Sequence, residues 1–321
     1  MRLRTVGRSG LRVSLVCLGT ADFGHRIDFA QAQRVVDAAL DAGINFIDTA
    51  DGYGNGSGLS EEMLGRILQG RRDDVVLATK FGTNKGDLYG DTVDALASRR
   101  HVLRAVEGSL RRLRTDYIDL YQLHTPDHIT PFEETLGALD DLVRAGKVRY
   151  VGSSKLVPAQ IVEADRQAYD RRVTRFISTQ QHYSLINREI EAELVPACLA
   201  HGVGILPIFP LGTGLLTGRW RGGEPLPEGS HMEFCAKLGL ATDEAGRIVD
   251  QLAAFAAERG VSMVELAIGA LAAQPGVSSI ITGASTPEQA RANAAAADYV
   301  PGETDLAEID RIAPSRRIEP P

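Results

Sequence analysis

Eight short apolar runs, separated by stretches of helical periodicity, occupy this chain from residue 15 almost to its end. Residues 15–20, 44–47, 75–80, 117–124, 148–151, 176–179, 203–207 and 278–282 lack the in-and-out alternation of a half-solvated sheet. Such runs are buried on both faces, the condition of a parallel strand covered by helices. Between them, residues 31–42 set Val35, Val36, Ala39 and Leu40 on one helical face and stop at Gly43. Residues 61–68 read as a short helix, and Val102, Leu103, Val106, Leu110 and Leu113 mark the next. Leu136, Leu139, Leu142 and Val143 form another, stopped at Gly146. Further helices are expected over 158–170, 188–201, 244–258, 262–273 and 287–297, and an amphipathic piece over 306–312 packs outside. Residues 210–243 are rich in Gly and Pro without a clear period and read as a long loop. Residues 3–6 and 11–13 flank the turn Gly7-Arg8-Ser9-Gly10 as a hairpin.

Parallel strands joined eight times by right-handed crossovers predict an α/β fold, a (β/α)8 TIM barrel. It carries an N-terminal β-hairpin and extra helices near the C-terminus. A doubly wound open sheet is the competitor, but no G-x-G-x-x-G turn occurs, nor a phosphate loop or nucleophile elbow. No composition break divides residues 1–321, so one domain is expected.

Bulk properties narrow the function. Net charge is −7, which argues against nucleic acid as a partner, though a small anion held by local donors remains compatible. Cys17, Cys198 and Cys235 are widely spaced and read as packing thiols of a cytoplasmic protein. No leader pattern is evident, and the most apolar stretch, 203–211, is too short for a membrane span and contains Pro207 and Pro210.

Barrel chemistry sits at the C-terminal ends of strands. Asp48 ends the second barrel strand and Tyr53 lies in the loop after it, in Asp48-Thr49-Ala50-Asp51-Gly52-Tyr53-Gly54. Lys80 ends the third and His124 the fourth. Singly, each has a bland reading: a cap, loop packing, a solvated strand end, a core histidine. Together at one mouth they suit proton transfer to a carbonyl oxygen. An ordinary phenol, with a pKa of about 10, is a poor acid near neutrality, and a lysine ammonium beside it is expected to lower that value. The buried lysine needs a counter-charge, which Asp48 supplies. No metal-ligand cluster or activated nucleophile stands in the sequence, so hydride from a cofactor would complete the reaction. Gly52 and Gly54 are expected to let the phenol reach inward.

At these residues the chain resembles the aldo-keto reductase family over essentially its whole length. The matching pieces are Gly19-Thr20, Asp48-Thr49-Ala50-x-x-Tyr53-Gly54, Lys80-Phe81-Gly82, Asp116-Tyr117-Ile118-Asp119-Leu120-x-x-x-His124 and Gly146-Lys147-Val148-Arg149-Tyr150-x-Gly152-x-Ser154. Gln180-x-x-Tyr183-Ser184-x-x-Asn187-Arg188, Pro210-Leu211-x-x-Gly214-Leu215-Leu216-x-Gly218 and Gly283-x-Ser285-x-x-x-Gln289-x-x-x-Asn293 follow. Within the family it is most similar to bacterial members of the potassium-channel β-subunit-like branch, rather than to the aldose reductases.

The resemblance implies Tyr53 as proton donor, Lys80 and Asp48 as its tuning pair, and His124 as the group orienting substrate. It implies NADP(H), with NAD(H) also compatible. Ser154 and Gln180 would hold the carboxamide. Thr20 and Asp48, next to Gly19, would lie near the nicotinamide and ribose, and Pro210 and Leu211 along the pyrophosphate. Gly283, Ser285, Gln289 and Asn293 would receive the adenosine end, where a helix N-terminus suits phosphate in any case. Lys155, where many members carry asparagine, and Arg219 become candidate phosphate contacts. Ile208, beside Phe209, stands where relatives stack an aromatic ring on the nicotinamide. A small carbonyl or alcohol substrate would be bounded by Phe23, Asp51, Phe81, Tyr89 and the 210–240 segment. Two alternatives stay open: net oxidation of a sugar or alcohol, and a cofactor-bound regulatory subunit with little turnover.

Overall fold

A computed structural model describes residues 1–83, 88–89, 95–228 and 230–315. The apolar runs become eight parallel strands: β3 (Val16–Gly19), β4 (Phe46–Asp48), β5 (Val76–Phe81), β6 (Ile118–Leu123), β7 (Val148–Ser154), β8 (Phe176–His182), β9 (Gly204–Ile208) and β10 (Ile280–Gly283). Ahead of them β1 (Leu3–Thr5) and β2 (Arg12–Ser14) form the expected antiparallel hairpin, Leu3 opposite Ser14. The strands lie in the order β10-β3-β4-β5-β6-β7-β8-β9. Closure comes from a parallel bridge between Ile205 of β9 and Val277, just ahead of β10. There Ile205 N donates to Gly276 O (2.8 Å) and Ser278 N to Ile205 O (2.9 Å). With the edges joined, backbone groups on every strand have partners, and the sheet is the expected barrel.

The covering helices are α1 (Phe29–Asp41), α2 (Leu59–Ile67), α3 (Arg99–Leu113), α4 (Phe132–Arg144), α5 (Pro158–Arg171) and α6 (Leu194–His201). Then come α7 (Met232–Lys237), α8 (Asp243–Glu258), α9 (Met263–Ala273), α10 (Pro287–Ala295) and α11 (Glu303–Ile312). Polar caps fix several starts. Asp28, Ser98, Thr242 and Thr286 each accept from the backbone N–H three residues on. Ser262 and Glu265 form a reciprocal capping box on α9.

Two stretches differ from expectation. The helix predicted over 188–201 is a 3-10 turn, Glu189–Glu191, followed by α6. Pro196 is tolerated only near a helix start, because it donates no N–H and crowds the preceding turn, so α6 begins at Leu194. The 210–243 stretch is more structured than a loop, holding a 3-10 turn (Gly212–Thr217) and α7. Leu215, Leu216, Trp220, Met232 and Cys235 bury against α8, α9 and α11 in a side cluster, and no single period describes so irregular a path. Gly229 in this stretch lies outside the described residues.

The main core lies between strands and helices. A second layer fills the barrel's lower interior. There Val6, Leu11 and Val13 from the hairpin meet Cys17, Phe46, Ala78, Leu120, Ile177, Leu206 and Ile281 from the strands. The bottom is therefore plugged by carbon, and polar side chains are left to the C-terminal mouth.

Candidate active site

β4 ends on Asp48 and β5 carries Lys80, so neighbouring strands bring the two side chains to one level of the mouth. Lys80 Nζ donates to Asp48 Oδ2 (2.6 Å), Thr49 O (2.8 Å) and Tyr53 OH (3.2 Å). Those three bonds use every proton of the ammonium. Both charged residues are only 1% exposed, a burial tolerable only with such complete pairing. Tyr53 comes from a tight turn in which its N–H donates to Ala50 O (3.1 Å). Gly54 holds that turn at φ 82°, where a Cβ would lie 2.6 Å from Leu59 Cβ. Gly52, expected to share this duty, does not enter the left-handed region.

His124 directly follows β6, and its N–H donates to Phe81 O (2.8 Å). Its ring meets that of Tyr53 edge to face, centroids 6.0 Å apart and planes at 86°. Tyr53 and His124 are half-buried while Asp48 and Lys80 are sealed beneath them. The four predicted catalytic side chains thus form one cluster, layered with the charges below and the groups that can reach a ligand above.

The electrostatics depart from expectation at the phenol. Burial lifts the Tyr53 pKa above its ordinary value; the Lys80 ammonium pulls it back but does not win. Burial also disfavours the charge on Lys80, yet Asp48 and Tyr53 together hold its pKa above the usual lysine value. At neutral pH the pair is therefore a neutral phenol facing a charged ammonium.

Asp48 Oδ1 is held by two amides that complete the site from the far strands. Gln122 Nε2 on β6 donates to it at 3.0 Å and Gln180 Nε2 on β8 at 2.7 Å. Gln180 Nε2 also donates to Gln122 Oε1 (3.0 Å). Sequence reasoning missed Gln122. The available signal was a fully buried amide in an apolar run, two residues before His124 and so on the same strand face.

The other predicted site residues divide. Thr20 is buried, its hydroxyl donating to Asp48 O (3.0 Å), next to Gly19 at the end of β3. Ser60 Oγ bonds both Thr20 Oγ1 and, at 2.9 Å, Thr49 Oγ1, tying α2 to the turn that carries Tyr53. Ser154 ends β7, donating to Gln180 O at 3.3 Å. Lys155 follows, exposed in the left-handed region at φ 59°, its Nζ 3.4 Å from Thr125 Oγ1. Pro210 is buried and Leu211 half-buried between the two cores. Arg219 is exposed at the end of the 3-10 turn, its Nε donating to Thr217 Oγ1 (3.3 Å). Gly283, Ser285, Gln289 and Asn293 form a separate group where β10 meets α10. Ser285 N donates to Gln289 Oε1 (2.8 Å) and Asn293 Nδ2 to Gly283 O (3.1 Å), so the two longer side chains brace this turn.

The expected substrate boundary needs correction. Phe23 and Phe81 are 0% exposed and Asp51 is 1% exposed, so these lie behind the mouth. Tyr89 is half-buried and donates to Asp51 Oδ2 (2.9 Å). Large rings do flank the opening elsewhere. His182 ends β8 with its centroid 5.1 Å from Phe209, which lies 5.5 Å from Phe234 of α7.

A model of the aldo/keto reductase family matches residues 15–314. The chain is 37% identical over 311 residues to a protein of Oryza sativa subsp. japonica named "Probable voltage-gated potassium channel subunit beta", covering 94% of this chain and 92% of the relative. It is 38% identical over 298 residues to an uncharacterized oxidoreductase of Bacillus subtilis, covering 91% and 89%. It is 32% identical over 323 residues to the L-glyceraldehyde 3-phosphate reductase of Escherichia coli K12, covering 97% and 92%. Among the described residues no helix is long and apolar enough to cross a membrane.

Proposed function

Because the chain belongs to the aldo/keto reductase family, we propose that it is an NADP(H)-dependent reductase of a small aldehyde or ketone. NAD(H) is a usable second dinucleotide in this reading. The observation that carries it is the three-way contact of Lys80 Nζ with Asp48, Thr49 O and Tyr53 OH. Since Lys80 donates to the Tyr53 oxygen, the phenol's own proton is directed away from Lys80, and His124 stands edge-on beside it.

The donor set at the mouth fits a dinucleotide. Gly283 is exposed and a Cβ there would meet nothing within 4 Å, so the turn ahead of α10 leaves room for a ligand. Lys155 and Arg219 are exposed cations able to meet phosphate. Ser154 and Gln180 would hold the carboxamide, Thr20 and Asp48 the ribose side, and Pro210 and Leu211 the pyrophosphate. Ser285, Gln289 and Asn293 would frame the adenosine end. When bound, NADPH supplies a hydride to the carbonyl carbon.

The protein's part is the proton. His124 and the Tyr53 hydroxyl orient the carbonyl oxygen, and as charge develops there Tyr53 releases its proton to it. Lys80 stabilises the resulting tyrosinate, and Asp48 keeps Lys80 charged. An acid held neutral by burial is already protonated at working pH, and the ammonium acts most strongly once the proton has left.

Tyr53→Phe tests the assignment. The variant is expected to bind NADPH with wild-type affinity, by quenching of protein fluorescence, and to lose about a hundredfold or more in kcat. Wild-type turnover would remove Tyr53 from the role. The similarity to a named channel subunit motivates a second reading, a cofactor-retaining regulatory subunit. Multiple turnovers on any carbonyl in a substrate panel reject it. Running the panel in both directions decides between net reduction and net oxidation of an alcohol.

A further inference from the structure

We propose that Gln122 is a positioning residue that fixes which way the Gln180 amide faces, so that Gln180 meets a bound carboxamide only as a hydrogen-bond acceptor. The inference rests on the reading above in which Gln180 lies against the nicotinamide carboxamide.

The argument is one of donors and acceptors. Ionised Asp48 can only accept, so both glutamines must turn their NH2 groups towards Oδ1, as the contacts at 3.0 and 2.7 Å require. Gln180 Nε2 has two protons. The first goes to Asp48 and the second to Gln122 Oε1 (3.0 Å). None remains for a ligand, which leaves Gln180 Oε1 as the atom to receive one. Gln122 is 0% exposed, so water cannot stand in for its carbonyl.

Backbone design supports the same conclusion. Gln122 lies on β6 opposite Gly152 of β7. A Cβ on Gly152 would fall 3.2 Å from Gln122 Cγ and 2.5 Å from Ser178 Oγ. The absence of a side chain there gives Gln122 room to reach Asp48 and Gln180 across the barrel. Without Gln122 Oε1, the second Gln180 proton is free to turn to the mouth, and the fixed polarity of the amide is lost.

The test is equilibrium binding, measured calorimetrically on the full chain with NADP+ and with its 3-acetylpyridine analogue. In that analogue a methyl group replaces the carboxamide NH2, removing the donor while keeping the carbonyl. Wild type is expected to prefer NADP+ by about tenfold, the equivalent of roughly 1.4 kcal/mol and the usual scale of one such hydrogen bond. Gln122→Met, similar in size, should bring the ratio close to one through weaker NADP+ binding, with the analogue changed by less than about threefold. Gln122→Leu also removes the acceptor for Gln180 and should lose the preference in the same way, whereas Gln122→Glu is unsuitable because it would set a second carboxylate against Asp48 Oδ1. A Met variant that keeps the wild-type ratio, or that weakens both dinucleotides alike, overturns the positioning role and leaves the reductase reading intact. A wild type without preference overturns it too. Should the Met variant not fold, a folded Leu variant that keeps the wild-type ratio decides against the inference. If wild type binds neither dinucleotide, the cofactor reading itself fails.

Discussion

Asp48 and Asp51 lie three residues apart, are equally buried, and meet opposite electrostatic surroundings. Asp48 faces an ammonium. Asp51 accepts from the neutral phenol of Tyr89 on Oδ2, and among the described residues its Oδ1 has no hydrogen-bond partner. The nearby cation, Arg112, is already engaged by Glu61 (Nε to Oε2, 2.7 Å). Burial, then the charge of Glu61, lift the Asp51 carboxyl from 3.8 to about 7. The folded chain thus binds this proton more tightly than the unfolded chain. The associated stability is fully present below about pH 4 and is lost as pH rises towards 7. The full difference is on the order of 4 kcal/mol. Asp51→Asn is neutral at every pH, so its stability relative to wild type should climb between about pH 4 and 7 and level off above, read from urea or thermal melts. A gap that does not change with pH would show that Asp51 does not titrate there. The acid itself was plain in the sequence, but its role was not. Its place in a turn motif suggested a pocket wall, and nothing local indicates that Tyr89, far along the chain, returns to occupy it.

Elements were legible where one apolar face meets one neighbour. α1, α3 and α4 repeat buried residues at three- and four-residue spacing because each packs a single stripe on the sheet. Legibility failed where a segment is held by side chains from several directions, as after β8. There Arg188, 7% exposed, donates to Glu191 Oε1 (2.6 Å) and Oε2 (3.0 Å), to Ala313 O (2.7 Å) and to Asp310 (2.7 Å). Tyr183 OH joins Glu191 at 2.6 Å. This knot breaks the predicted helix and pins the C-terminal end of α11. Arg188→Met keeps much of the stem and removes the fork, leaving Glu191 and the Ala313 carbonyl short of a donor. The loss should be about 2–3 kcal/mol, less than for a fully buried pair because Asp310 is exposed. Hydrogen exchange localises the effect: amides of 303–313 should gain exchange well before those of β5. Uniform acceleration across both would mean that Arg188 supports the barrel at large rather than α11.

For the whole molecule, the barrel's two ends separate stability from chemistry. The ring of strands was readable because each apolar run is buried on both faces. Its closure followed from the eightfold repeat, but the place where the ring closes did not, since the bridge joins Ile205 to Val277, just ahead of β10 and outside its four residues. The hairpin's importance was equally hidden, as two three-residue strands look like an ornament in a sequence. In the fold, Val13 is 0% exposed in a cluster drawn from β3, β4, β5, β6, β8, β9 and β10, with Tyr150 of β7 packed against it. A residue in a cluster that draws on every strand should act on all of them at once. Val13→Asp puts an unpaired carboxylate into that carbon layer, an insult expected to cost more than about 3 kcal/mol. The barrel should still melt in a single transition, only earlier, since no strand is spared. At a temperature where the variant remains folded, its KM for a carbonyl substrate should match wild type, because the mouth at Asp48, Lys80 and Tyr53 is built at the opposite ends of the strands. A melt that splits in two would mean that the plug stabilises only part of the ring. A KM altered manyfold would mean that the two ends are mechanically coupled.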